Sequence, residues 1–218
     1  MLNWNDIDTV LLDMDGTLLD LHFDNHFWQA HLPRRYAEAR GLSADAGREE
    51  LMARYHARAG TLEWYSIDFW ETELELDIMR FKEEVAHLIA VHPHVTTFLA
   101  AARAAGKRLV LATNAHHKSL TLKMARTGLS PLFDVLVSSH ALGAAKEEQA
   151  FWERLRAAEP FDPQRTLLVD DSLPVLDSAR RYGIAHLVAV KQPDTRQPQK
   201  VTGNYLAIDD FSQLLPIA

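Results

Sequence analysis

Four carboxylates, one lysine and one hydroxyl–amide pair in this chain have the types and spacing to handle phosphate. They are Asp13-Met14-Asp15-Gly16-Thr17, Thr113-Asn114, Lys146 and Asp170-Asp171. Two Asp residues one position apart can divide a displacement at phosphorus. One attacks and forms an aspartyl-phosphate, which splits a difficult step into two easier ones. The other protonates the departing oxygen and then takes a proton from the attacking water. Gly16 lets the backbone turn sharply, so that amide N–H groups face an anion. The adjacent acids Asp170 and Asp171 repel one another unless a cation lies between them and Asp13. Mg²⁺ suits that place, because it prefers oxygen ligands and keeps several waters. It also neutralises phosphoryl oxygens, so that an anionic Asp can approach. Thr113-Asn114, placed before a helix, offers a hydroxyl, an amide and free N–H groups to a phosphate.

Each feature also has a purely structural reading. Asp-x-Asp-Gly is the composition of an Asx-turn closing a strand. Asp171 or Ser172 can cap the helix that contains Pro174, and Thr and Asn are good caps anywhere. A lysine before Glu147-Glu148 is ordinarily a solvated charge near a helix start. Position decides between the readings, and position is set by the elements around these residues.

Each group follows a short apolar run. Thr9–Leu12 leads into Asp13, Leu109–Ala112 into Thr113, Val135–Val137 into Ser138-Ser139 with Lys146 soon after, and Thr166–Val169 into Asp170. Short β-branched-rich runs separated by helical stretches read as buried strands of a parallel sheet. The carboxyl ends of such strands share one edge, where ligands bind. Residues from 13 to 171 therefore converge on one site. Helices are predicted from the stripe Val95, Phe98, Leu99, Ala102, from His116 to Arg126 before Gly128, from Phe151, Leu155, Ala158, and between Ser172 and Gly183. Ile184–Val190 adds a fifth strand, Gln192–Gln199 a loop, and Tyr205–Ile208 an edge strand before a short terminal helix. From Phe23 to Leu88 the pattern is helical, with breaks at Gly41 and Gly60 and possible caps at Ser43 and Thr61. The expected fold is α/β: a doubly wound, Rossmann-like parallel sheet core with a helical cap of three or four helices inserted after the first strand.

The chain has 218 residues, 47% hydrophobic and 24% charged, as expected for a globular protein with a core and an insert. Its 30 acidic and 23 basic residues give a formal charge of −7. That excludes nucleic-acid binding through clustered positive charge. It also means that an anionic substrate needs a local cation or lysine to approach acidic side chains. The absence of Cys excludes a disulfide framework, a thiolate metal site and a cysteine nucleophile. No signal-peptide pattern opens the chain, and no apolar stretch approaches the ~20 residues of a membrane span. These features predict a cytoplasmic protein with no membrane partner, and nothing in the composition predicts more than a monomer. The eleven His residues form no recognisable metal pattern.

Taken in order, the four motifs resemble those of the haloacid dehalogenase-like (HAD) hydrolases. The resemblance implies a nucleophile at Asp13, an acid/base at Asp15 and phosphate contacts at Thr113, Asn114 and Lys146. It implies Mg²⁺ held by Asp13, Asp171 and the backbone carbonyl of Asp15, with Asp170 beside the ion directly or through water. It further implies a core of residues 1–19 and 92–218 and a cap of residues 20–91. Two departures narrow the subfamily: Glu147 stands where many relatives place Pro after the lysine, and Val175 where many carry a further Asp. Leu19–Trp28, Thr61–Tyr65 and Thr113–His116 are similar to bacterial 5′-nucleotidases acting on GMP and IMP, which implies a purine nucleoside 5′-monophosphate as substrate. Trp28, Trp64 or Tyr65 could stack on a purine, and Asn25 or His22 could hydrogen-bond it; for each aromatic the more usual reading is packing inside the cap. The alternatives are a broad sugar-phosphate or phosphoglycolate-type phosphatase and, in a different class, a catalytically silent module that binds a phosphate ligand. A dehalogenase would have no use for Asp15 and the metal-binding Asp171.

Overall fold

The computed structural model describes residues 2–217. Six parallel strands form one sheet: β1 (Thr9–Leu12), β2 (Arg108–Thr113), β3 (Val135–Ser138), β4 (Thr166–Asp170), β5 (His186–Val190) and β6 (Leu206–Ile208). Their spatial order is β3-β2-β1-β4-β5-β6. The first three strands step one way across the sheet, and the chain then returns to the other side of β1. This reversal makes a crevice at the carboxyl ends, between β1 and its neighbours. The register puts Leu12 opposite both Leu111 and Val169, so Asp13 emerges beside the last residues of β2 and β4.

Alternation along the strands sends side chains to two covered faces. Val10, Leu12, Leu109, Leu111, Leu167 and Val169 join the core on one side of the sheet. Leu11, Val110, Ala112 and Leu168 join the core on the other. The first core includes the predicted stripe Val95, Phe98, Leu99 and Ala102 on α6 (Val95–Ala104), and α7 (His117–Thr127) adds Leu120 and Met124. The second, beyond the short α8 (Ser139–Leu142), includes Phe151 and Leu155 on α9 (Gln149–Ala158), and Val175, Leu176 and Ala179 on α10 (Leu173–Tyr182). The predicted terminal helix is a single 3₁₀ turn at Phe211–Leu214. No helix among the described residues is long and apolar enough to cross a membrane.

Between β1 and β2 the chain is mostly helical. A continuous rod comprises α1 (His22–His26), a π-helical turn (Phe27–His31) and α2 (Leu32–Arg40). The wide turn lies just before Pro33, which has no N–H to continue the ladder. Next come α3 (Ala44–Arg58), α4 (Ile67–Leu74) and α5 (Ile78–Glu84). Ser43 caps α3, accepting from Ala46 N–H at 3.2 Å, and Thr61 caps a 3₁₀ turn in the same way, as expected from their type. Gly47 lets α3 approach α2: a Cβ there would lie 2.7 Å from the Ala37 Cβ. These helices bury their own cluster, including Phe23, Phe27, Tyr36, Leu51, Tyr55 and Trp70. The chain enters and leaves this helical segment by two paired stretches. Asp20 N–H donates to the Ala90 carbonyl at 2.9 Å, and His92 N–H to the Leu18 carbonyl at 2.9 Å.

Candidate active site

The crevice gathers the chemistry-bearing residues as the strand ends require. Asp13 follows β1, with its N–H on the Val169 carbonyl at 3.1 Å, and its side chain is almost wholly buried. Asp170 ends β4. Lys146, 2% exposed, bridges the two, with Nζ 2.5 Å from Asp13 Oδ1 and 2.7 Å from Asp170 Oδ2. Lys146 is thus no solvated surface charge. Two buried carboxylates hold its ammonium charged, shifting its proton affinity well above the usual lysine range. Burial pushes the Asp13 carboxyl up to about 6 against the pull of Lys146, with Asp170 adding to the rise.

Asp171 turns back over the loop after β1. A Cβ on Gly16 would stand 2.8 Å from the Asp171 carboxylate carbon, and Gly16 has φ +88°. Glycine is required there twice, for the turn and for the approach of Asp171. One oxygen each from Asp13, Asp170 and Asp171 lie within 4.8 Å of one another. Burial, and for Asp171 the Asp13 charge, raise the Asp170 and Asp171 carboxyls. Three crowded hard oxygen donors fit a small divalent cation. Lysines already neutralise part of this charge: Lys200 donates to Asp171 Oδ2 at 2.7 Å.

The Asp15 side chain stands apart from this trio. Its carboxylate lies 2.7 Å from Lys123 Nζ on α7. Lys123 also holds Asp24 Oδ2 at 2.6 Å, and Asp24 Oδ1 accepts from Lys82 Nζ on α5 at 3.0 Å. Burial drives the Asp15 carboxyl up to about 7; Lys123 opposes the shift, while Asp24 and Asp13 reinforce it. Asp24 is itself desolvated, yet the two lysines hold its carboxyl at about 2. No local pattern marks Lys82, Lys123 and Asp24 in the sequence, because they lie on three different helices and meet only in space.

Thr113 and Asn114 sit buried at the end of β2, and their side chains are engaged locally. Thr113 Oγ1 accepts from Ala115 N–H at 3.0 Å, and Asn114 Oδ1 accepts from Lys146 N–H at 2.9 Å. Asn114 Nδ2 donates to Glu147 Oε2 at 2.9 Å, and Tyr65 OH in the helical segment donates to Glu147 Oε1 at 2.8 Å. The residue that replaces proline after the lysine therefore joins the crevice to the cap. The expected caps at Asp171 and Ser172 are not formed: Ser172 precedes α10 without a side-chain capping bond, and its N–H instead donates to Asp170 Oδ1 at 2.9 Å.

A sequence model of the haloacid dehalogenase-like hydrolases matches residues 7–183, from just before β1 to just after α10. The chain belongs to this family. It is similar to the GMP/IMP nucleotidase YrfG of Escherichia coli, at 38% identity over 98% of this chain and 96% of the relative. It is also similar to a phosphoglycolate phosphatase of Caulobacter vibrioides, at 26% identity over 93% and 87%. The HAD phosphatase structure from Thermococcus onnurineus shares the fold, with a TM-score of 0.78 at 23% identity over 95% and 96% of the two chains.

In this hydrolase the crevice opens into one cavity of about 540 Å³ between sheet edge and cap. That is within the size range usual for small-molecule sites. Asp13, Asp15, Lys146 and Asp171 line one end; Trp28, Tyr55, Trp64 and Tyr65 line the cap wall. These aromatics line the cavity, and Trp28, Tyr55 and Trp64 also pack on one another within the cap. Trp28 packs edge-on to Tyr55 at 5.7 Å within the cap and also faces the cavity. Asn25 lines the cavity, with its amide on Asp194 at 2.7 Å, whereas His22 is not among the lining residues.

Proposed function

We propose that this hydrolase is a Mg²⁺-dependent phosphomonoesterase acting on purine nucleoside 5′-monophosphates, with GMP and IMP preferred. The observation that carries the reading is one cavity with acid–lysine chemistry at one end and an aromatic wall large enough for a purine at the other. The 38% identity to a GMP/IMP nucleotidase supports the same substrate class.

Asp13 is the nucleophile. Its carboxylate oxygen attacks phosphorus, the P–O ester bond breaks, and the departing oxygen takes the proton of Asp15. A carboxyl pushed up to about 7 is protonated often enough at neutral pH to serve as that acid. Asp15, now ionised, removes a proton from water as the water attacks the phosphorus of the aspartyl-phosphate. Phosphate leaves, and Asp13 and Asp15 return to their starting states. Lys146 orients Asp13 and offsets charge on the phosphoryl oxygens, with Thr113 contributing its hydroxyl proton. Asn114, whose side chain holds Lys146 N–H and Glu147, keeps the lysine loop in place. Asp13, Asp171 and Asp170 would hold Mg²⁺ with the Asp15 carbonyl. The ion, when bound, neutralises the phosphoryl oxygens that face Asp13.

The test is phosphate release by purified protein with Mg²⁺, comparing GMP and IMP with AMP, pyrimidine monophosphates and sugar phosphates. We expect kcat/KM at least about tenfold higher for GMP and IMP, and loss of turnover in Asp13→Asn. Equal turnover of all phosphate esters would leave a phosphatase and remove the nucleotidase. No release from any ester would point to a silent binding module.

A further inference from the structure

One face of α3 lines the cavity. Arg48, Met52, Tyr55 and His56 all line it, at positions i, i+4, i+7 and i+8 of a single helix. Two polar groups on this face lack partners. The Tyr55 hydroxyl is buried with no hydrogen bond, in a residue only 5% exposed. A buried hydroxyl without a partner is costly and calls for one. Arg48, a solvent-exposed residue of the same face, has no ion pair or hydrogen bond among the described residues, unlike the lysines of the cavity. Lys82 and Lys123 share Asp24, and Lys146 is held by Asp13 and Asp170.

A nucleotide whose phosphate reaches Asp13 and Lys146 must send its base toward the cap, because the reacting end of the cavity is fixed by the strand ends. We infer that the Arg48–Tyr55 face of α3 reads the 6-position edge of the purine, with Arg48 donating to O6 and N7 and the Tyr55 hydroxyl completing the polar contact. This rests on the nucleotidase reading and specifies how that selectivity arises. A guanidinium is donor-only and matches two adjacent acceptors in a fork. Hypoxanthine and guanine present O6 and N7 to it, both acceptors. Adenine presents an amino group at the 6-position, so donor meets donor and both are left unpaired. Trp28 and Trp64 supply apolar area common to every purine and cannot make this distinction.

The experiment measures kcat/KM for IMP, GMP and AMP in wild type, Arg48→Met, Arg48→Lys and Tyr55→Phe. The readout is the IMP/AMP ratio, which a general folding or catalytic defect leaves unchanged because it lowers both substrates together. We expect the ratio to fall about tenfold in Arg48→Met, by a smaller factor in Tyr55→Phe, and to be partly retained in Arg48→Lys. A selective wild type whose ratio survives Arg48→Met would overturn the inference and leave the nucleotidase standing. A wild type that hydrolyses IMP and AMP equally would overturn both.

Discussion

Asp13 and Asp15 are the same side chain two positions apart, and their surroundings differ in the way the proposed roles require. Asp13 is bound by Lys146 and shares its space with Asp170 and Asp171, where an ionised oxygen meets cations. Asp15 faces Lys123, with its carboxyl pushed up to about 7, chiefly by burial. A nucleophile needs the first environment and a proton carrier the second. Gly16 matters at the same scale. In Gly16→Ala the new methyl would stand 2.8 Å from the Asp171 carboxylate, on a backbone of φ +88° that alanine resists. Asp171 must then move. The expected result is an apparent Mg²⁺ affinity weakened about 10–100-fold, read from a Mg²⁺ titration of activity, with near-wild-type far-UV circular dichroism. An unchanged Mg²⁺ dependence would mean that Asp171 is not a ligand.

At the scale of elements, three helices are tied by buried charge. Asp24 on α1 lies between Lys82 on α5 and Lys123 on α7, and each lysine is only 1% exposed. In Asp24→Asn both ammonium groups lose their carboxylate. Removing one partner of a buried pair costs about 3–5 kcal/mol, so the urea midpoint at pH 7 should fall sharply. The pH dependence has a definite sign. With the folded carboxyl at about 2, below its ordinary 3.8, the Asp24 contribution is present above pH 3.8 and lost as pH falls through 2. The gap between wild type and variant should therefore close on acidification.

His116, just before α7, acts over a different range. Burial, with His117 beside it, holds its ring at about 4, and Asp68 only partly compensates. The folded state thus binds fewer protons than the unfolded chain between pH 4 and 6.5, and His116 makes the fold lose stability as pH falls through that window. His140, also lowered by burial, adds in the same direction. Comparing thermal midpoints at pH 7 and pH 5, His116→Gln should show a smaller drop than wild type.

For the whole molecule, the helical segment rests on the sheet domain through contacts that differ in strength. Lys118 on α7 pairs with Asp68 and Glu71 on α4 at 2.7 Å, partly exposed and so worth little. The Asp24–Lys123 pair and the Tyr65–Glu147 bond are more buried. The paired stretches around Leu19 and Val91 carry the chain between the two bodies. Asp20 fastens this connection to the loop after β5, accepting from Thr195 Oγ1 at 2.5 Å and from His22 N–H at 2.9 Å. It lies outside the cavity lining. Asp20→Ala should loosen this connection and change kcat and KM together, as changes at hinge positions do. A change confined to stability, with both kinetic constants intact, would assign Asp20 a purely structural role.

Much of this was legible in the chain itself. Each apolar run from Thr9 to Val190 became a strand, because a sheet covered on both faces demands continuous hydrophobicity that local sequence displays. Asp13, Thr113, Lys146 and Asp170 could be placed together because parallel strands must end on one edge. Ser43 and Thr61 formed their caps, since capping is decided within three residues. What the sequence could not display was contact between elements remote along the chain. Lys82, Asp24 and Lys123 look like ordinary helical surface residues until α1, α5 and α7 are packed. The expected role of the Asp15 side chain as acid/base says nothing of its neighbour, and only the packing of α7 brings Lys123 to its carboxylate. Arg48 and Tyr55 share a helix face, but only the tertiary packing of the cap turns that face into part of the cavity lining. Periodicity and motif spacing are properties of neighbours in the chain and survive as sequence. Charge pairing, desolvation and cavity shape belong to neighbours in space, and only the tertiary structure decides them.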